Sequence, residues 1–540
     1  MNLVSGTAPA SAGNHLNIPG VSVGTAAPDL RRPGAPAPAT RTRTLFADPA
    51  VVAVVALTLL GAFLRFWRIG HQGFWFDEGN TALLVHFPPG KMLGLIPQTE
   101  STPPLYYCVA WVWARIFGSS ETALRSLSAL AGVAMIPVVY GAGAKLVSRR
   151  AGVFGAAFAA CSPLLIWYSQ EARSYQLLAL LSGLSLLAFA QALRRPTRGA
   201  LAAWVIACAL ALATHYYAVL AVVPEAIWLL AVHRRRRPVQ IAFAVVGLCG
   251  LGLIPLAVSQ HGTGRSNWIA HAPLWRRLGQ VIPQFAAGFA GPAHSVFEPV
   301  AIAILILALV LLAVRSDAPT RRGARLAGGL ALAGFVLSLI LVAAGFDDLL
   351  TRNLLAIWTP AALLIAGGLA APRARLAGLI AAAVLCGMGV TTAVGVAVDR
   401  DLQRPDWRVV AAALGRHVPA GGRAILVQHY RDLLPLSLYM PGLHFWPGRA
   451  AIPVRELDVV SFTAPPSAGF CWWGSACNLW PSRVQSAYPV AGLHAVSEHH
   501  ALQFTILRLE APRRVRLTPA EVARALTATS FRNDELLWQH

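Results

Sequence analysis

Apolar runs of membrane-crossing length recur along this 540-residue chain, and they leave few folds open to it. A helical run of roughly 20 apolar residues spans a hydrocarbon core of about 30 Å, where the backbone must satisfy its own hydrogen bonds. Eleven such runs are read here, at about 49–67, 122–144, 151–168, 175–193, 199–215, 218–233, 239–258, 296–314, 326–345, 354–371 and 377–397. Charged residues make up 13% of the chain. A soluble protein carries about 25%. The expected fold is therefore an α-helical polytopic membrane protein of about eleven spans.

The charges that remain set the expected orientation. Basic residues gather in alternate short connections: Lys145, Arg149 and Arg150; Arg194, Arg195 and Arg198; Arg234 through Arg237. The later ones hold Arg315, Arg321, Arg322 and Arg325, then Arg373 and Arg375. This is the positive-inside pattern, which accounts for the net charge of +22 and argues against a nucleic-acid partner. It assigns the N-terminus and the basic loops to the cytoplasm. The loop 69–121 and the segments 169–175, 259–295 and 346–353 are assigned to the other face.

Residues 1–45, rich in Pro, Ala, Gly and Thr, read as a disordered cytoplasmic tail, with no cleavable signal before the first run. Residues 46–400 form the membrane domain and 401–540 an extracytoplasmic domain. A helix-like start (Trp407 to Leu414) and strand-like runs (Ala424 to Gln428, Phe504 to Leu507) make that last part a small α/β domain. Five cysteines, Cys108, Cys161, Cys208, Cys249 and Cys386, are small core residues; a disulfide between Cys471 and Cys477 is left open.

Candidate functional residues lie on the extracytoplasmic face. Asp77 and Glu78 follow Phe74, Trp75 and Phe76, aromatics that favour headgroup depth, where two adjacent carboxylates are costly to desolvate. Such a pair in a loop is otherwise plain solvated surface. Glu171 and Arg173 occupy a later hairpin and alone would be a local ion pair. Pro103-Pro104-Leu105-Tyr106-Tyr107 reads alone as a rigid turn into an interfacial helix, and Thr214-His215-Tyr216-Tyr217 as an interfacial cap.

Together these segments resemble the bacterial glycosyltransferase family 39 proteins of the GT-C superfamily, which are protein-mannosyltransferase-like. The resemblance is carried by Phe74-Trp75-Phe76-Asp77-Glu78, Thr102-Pro103-Pro104-Leu105-Tyr106-Tyr107 and Leu124-Arg125-Ser126-Leu127-Ser128-Ala129. Ser169-Gln170-Glu171-Ala172-Arg173-Ser174-Tyr175, Thr214-His215-Tyr216-Tyr217 and Arg352 with Pro360 continue it in the family's order, and Pro405-Asp406-Trp407-Arg408 is similar to the start of its C-terminal region. The resemblance implies inverting transfer of a sugar from a polyprenyl-phosphate donor to a glycan, lipid or protein acceptor of the envelope. The sugar and the acceptor stay open.

On this reading Asp77 is the general base, and Glu78 or Glu171 orients the acceptor or holds a divalent cation, Mg or Mn, although no metal-ligand spacing is recognisable. Arg173 and Arg352 are phosphate-binding candidates, His215 a phosphate or sugar ligand, and Tyr106 and Tyr107 groove-lining residues. Trp472, Trp473 and Trp480 are candidate stacking platforms. Two other classes compete. A transporter or flippase needs ionisable residues along a midplane path, and the spans are nearly free of charge, with Glu225 an exception. The other alternative is an envelope scaffold subunit.

Overall fold

The computed structural model describes residues 48–539, apart from 290, 416–417, 428–432, 463–488, 491 and 526–534. The 1–45 tail, Cys471, Cys477, Trp472, Trp473 and Trp480 lie outside the described residues.

The membrane part begins with α1 (Pro49–Phe66), α2 (Phe76–Leu84), α3 (Pro89–Thr99), α4 (Leu105–Phe117), α5 (Glu121–Leu146), α6 (Arg149–Cys161), α7 (Pro163–Ser169) and α8 (Tyr175–Arg194). It continues with α9 (Arg198–Thr214), α10 (Val219–His233), α11 (Arg237–His261), α12 (Leu274–Ala287), α13 (His294–Val314), α14 (Ala318–Ala343), α15 (Trp358–Leu369) and α16 (Arg375–Val398). Among the described residues, nine helices are long and apolar enough to cross a membrane. A tenth candidate is the pair α6 and α7, bent by 54°. All eleven expected runs are helical; the remaining one, α9, is a shorter apolar helix of 17 residues. The chain is a multi-pass membrane protein.

The bend has a local cause. Pro163 lacks an N–H and its ring excludes a continuous helix, so α6 stops at Cys161, and Ser162 Oγ caps α7 by accepting from Leu165 N at 3.3 Å. Carbonyls at the end of α6 then need other donors. Arg65, fully buried on α1, donates to Ala159 O at 2.7 Å and Ala160 O at 3.1 Å, a guanidinium at the negative end of a helix. Its Nε reaches Ser169 Oγ at 3.0 Å. Gly132 of α5 makes the room, since a Cβ there would meet Ser169 Oγ at 2.2 Å and Arg65 Nε at 2.6 Å. The broken helix leads straight into the 170–174 turn.

The C-terminal part is an α/β domain. Its strands β1 (Arg423–Val427), β2 (Leu443–Phe445), β3 (Ile452–Phe462), β4 (His494–Ala501), β5 (Phe504–Leu517) and β6 (Glu535–Gln539) form one sheet in the order β2-β6-β1-β3-β5-β4. Among the described residues only the β1–β3 pairing is parallel. Alternating strand residues fill a core on each face. On one side Ile425, Val427 and Phe504 pack with Trp407 and Val410 of α17 (Trp407–Leu414) and Leu436 of α18 (Leu433–Tyr439). On the other, Leu426, Leu457 and Leu509 pack with Val522 of α19 (Pro519–Ala525).

Candidate active site

Asp77 and Glu78 sit in the first turn of α2, where carboxylates face the helix's positive end. Neighbours on a helix point about 100° apart, and here that separation gives them different surroundings. Asp77 lines a cleft of about 710 Å³, measured with the space open at its mouth. Its walls include Asn80, Glu100, Thr102, Arg173, Tyr175, His215, Trp268, Asp348 and Arg352. Arg352 Nη1 lies 3.2 Å from Asp77 Oδ2, and its guanidinium sits 5.4 Å from the Tyr175 ring and 5.6 Å from the Trp268 ring. Both rings hold the planar cation in place.

Glu78 does not line the cleft. It is fully buried and gripped by Arg125, whose Nε and Nη2 reach its two oxygens at 2.7 and 2.5 Å. The Ala172 N–H also donates to Glu78 Oε1, at 2.8 Å. Arg125 further donates to the carbonyls of Ile69, Gln72 and Gly73, at 3.0, 2.8 and 2.8 Å. Glu78 thus ties α2, α5 and the 170–174 turn together, and its burial keeps both oxygens away from the cleft. Tyr106 and Tyr107, expected along the groove, are completely buried beneath it. Their hydroxyls meet Ser128 Oγ at 3.4 Å and Thr102 Oγ1 at 3.1 Å. Facing the core of α4 rather than the cleft, they support the wall.

Arg173 reaches the cleft, but its two terminal nitrogens form a fork-to-fork pair with Glu100, both at 2.9 Å. Nη1 also touches Asp77 O at 3.3 Å. Of the two expected phosphate binders, Arg352 presents its charge to the cleft while Arg173 is largely matched by Glu100. Glu100, also bonded by Asn80 Nδ2 at 2.5 Å, is a site residue that sequence reasoning missed. A lone acid two residues before Thr102-Pro103-Pro104 was its only signal. In the 346–353 segment, Asp347 pairs with Arg277 at 2.7 Å, and Asp348 faces the cleft.

His215 caps the turn after α9, its Nδ1 accepting from Tyr217 N at 3.2 Å. An Nδ1 that accepts a hydrogen bond carries no proton, so the ring is neutral. With Nδ1 accepting, the proton resides on Nε2, a donor for an anion or a sugar oxygen.

Glu171 lies behind the cleft wall, buried, with Oε2 3.0 Å from Arg404 Nη2. Burial pushes its carboxyl up to about 7; Arg404 opposes the rise, and the charges of Glu78 and Asp77 add to it. The C-terminal domain also reaches the site directly. Tyr439 OH accepts from Phe74 N and donates to Glu121 Oε1, both at 2.7 Å, and Leu434 lines the cleft. Gly79 permits this approach, because a Cβ on it would meet Pro435 N at 3.0 Å.

Three carboxylates had been expected to offer a metal site: Asp77, Glu78 and Glu171. Each is engaged by a different arginine, and among the described residues no three His, Cys, Asp or Glu side chains converge as metal ligands do.

Residues 101–259 match the family described as dolichyl-phosphate-mannose-protein mannosyltransferase. No curated protein matches the chain by sequence. Among solved structures, ArnT from Cupriavidus metallidurans in the apo state is similar, with a TM-score of 0.52 and 16% identity. That match covers 85% of this chain and 97% of ArnT. The same protein bound to undecaprenyl phosphate gives a TM-score of 0.50 and 17% identity over the same shares. The chain has the GT-C fold, a multi-helix membrane domain with a C-terminal sheet domain, and carries the mannosyltransferase-family pattern across residues 101–259.

Proposed function

We propose that this protein is a glycosyltransferase that moves a sugar from a polyprenyl-phosphate donor to an envelope acceptor on the extracytoplasmic face of the bacterial inner membrane. The observation that carries the reading is the Asp77–Arg352 pair at 3.2 Å in a polar cleft at one end of an apolar helical bundle. A lipid-borne donor dissolves its tail in the bilayer and brings its sugar phosphate to that depth. ArnT, which has the same fold, has been captured with undecaprenyl phosphate.

In the proposed reaction Asp77 accepts the proton of an acceptor hydroxyl whose oxygen attacks the anomeric carbon. The bond from that carbon to the phosphate oxygen breaks, and its electron pair leaves with polyprenyl phosphate. A single displacement inverts the anomeric centre. Arg352 offsets charge growing on the phosphate, with the Nε2–H of neutral His215 as a second donor. Arg173, Glu100, Glu78 and Arg125 hold the frame. A midplane transport path has less support: Glu225, the ionisable group that stands out in the spans, is closed off by Trp204 Nε1 at 2.9 Å and Ser185 Oγ at 3.2 Å.

The test is release of polyprenyl phosphate and transfer of label from radiolabelled polyprenyl-phosphate sugars by purified protein. Arg352→Ala should raise the donor KM by about tenfold or more, the scale of one lost charge-assisted contact. An unchanged donor KM would remove Arg352 from the phosphate site.

A further inference from the structure

At and behind the cleft wall, four of the carboxylates are each held by their own arginine. Asp77 pairs with Arg352, Glu78 with Arg125, Glu100 with Arg173 and Glu171 with Arg404. Three of the arginines belong to the membrane domain. The fourth, Arg404, follows the last span and stands two residues before Asp406, which caps α17 of the C-terminal domain.

Arg404 is placed with unusual completeness for a linker residue. It is 3% exposed, and its guanidinium lies 4.0 Å over the Trp167 ring and 5.8 Å from the Trp75 ring. Nη1 donates to Gln170 O at 3.1 Å, while Nη2 donates to Trp167 O and Glu171 Oε2, both at 3.0 Å. Its backbone N–H donates to Gln72 Oε1 at 3.1 Å. One residue thus joins the segment before α2 to the turn after α7, and both to the C-terminal domain. Glu171 depends on it, because Glu171 Oε1 is buried with no hydrogen-bond partner among the described residues.

We propose that Arg404 is a positioning residue: it neutralises Glu171 and locks the 170–174 turn against α2, so that seating of the C-terminal domain is a condition for a competent cleft. That turn carries the Ala172 N–H that holds Glu78 and the Arg173 guanidinium that touches the Asp77 carbonyl. A shift of the turn therefore reaches Asp77 without any direct contact from Arg404. The kinetic part of the proposal rests on the transferase reading; the electrostatic part stands without it.

The experiment uses the full-length protein in detergent, comparing wild type, Arg404→Ala, Arg404→Lys and the double variant Glu171→Gln with Arg404→Ala. The first readout is melting temperature against pH. Glu171 has a folded-state pKa near 7, above its ordinary 4.5, so its contribution to stability is complete below 4.5 and is lost as pH rises through 7. Without Arg404 the carboxyl should hold its proton more tightly, so the loss should continue above pH 7, where the wild type levels off. The double variant should lack this added slope. Arg404→Lys keeps charge and stem and gives the same comparison where the alanine variant does not fold; without the planar fork it should fall between wild type and alanine.

The second readout is transfer. Arg404→Ala should lower kcat on the order of tenfold to a hundredfold, the range for a misplaced frame, with donor KM little changed. An Arg404→Ala melting profile parallel to wild type, or unchanged kcat, would overturn the proposal. If the wild type used no polyprenyl-phosphate sugar, the donor reading would fall, while the melting comparison would still decide the role of Arg404.

Discussion

Glutamine in place of Glu78 separates the roles of two adjacent carboxylates. Glu78 is fully buried against Arg125, with hydrogen bonds at 2.7 and 2.5 Å. Removing its charge leaves a buried guanidinium held only by the carbonyls of Ile69, Gln72 and Gly73. Breaking one side of such a pair costs about 3–5 kcal/mol, and the amide, which keeps one acceptor, should fall near about 3. At about 2 °C per kcal/mol for a large folded unit, the melting temperature should drop by about 6 °C. Asp77→Asn should be far milder. Its partner Arg352 is 15% exposed and Asp77 16%, so water shares the charge and about 1 kcal/mol, or about 2 °C, is expected. The assay is tryptophan-fluorescence melting of both variants in one detergent, with transfer rates normalised to folded protein. A Glu78→Gln protein that melted like wild type yet lost transfer would refute the division of labour and return Glu78 to the chemistry.

Other outcomes follow from the same contacts. Gly79→Ala places a methyl 3.0 Å from Pro435 N, a backbone atom that cannot swing aside. It should lower stability by about 1–3 kcal/mol, the cost of overpacking, and reduce transfer by unseating α18; wild-type melting and rate would contradict that packing. Glu225→Gln keeps an acceptor for Trp204 Nε1 and a group for Ser185, so melting and transfer should stay close to wild type. Glu225→Leu leaves the Trp204 N–H unpaired and should cost about 1–3 kcal/mol. Complete loss of transfer in a well-folded Glu225→Gln protein would instead favour a proton or ion path through the bundle.

The membrane fold was legible because hydropathy acts on each helix separately. Local rules account for all eleven helical runs, but they did not foresee the break between α6 and α7. The Ser162-Pro163 step was visible, yet the partner that makes it tolerable, Arg65, lies on another helix about 95 residues away. The site was legible in part. Asp77, Arg173, His215 and Arg352 do meet in one cleft. Their pairing was not legible, because each arginine finds its carboxylate across the fold. Arg352 meets Asp77 across 275 residues, and Arg404 meets Glu171 across 233. Local spacing carries no record of such pairs. Tyr106 and Tyr107 mislead for a related reason: a helix entered through Pro103-Pro104 can present its aromatics to lipid, cleft or core, and only the packing of α4 on α5 decides.

The proposed role of Asp77 is that of the base in sugar transfer. The most direct measurement is single-turnover transfer from a radiolabelled polyprenyl-phosphate sugar by the Asp77→Asn protein, checked for melting within about 2 °C of wild type and for donor binding. Loss of at least about 10²-fold in rate, the range expected for general-base catalysis, with donor still bound, is the predicted result. A rate within a few-fold of wild type would contradict it.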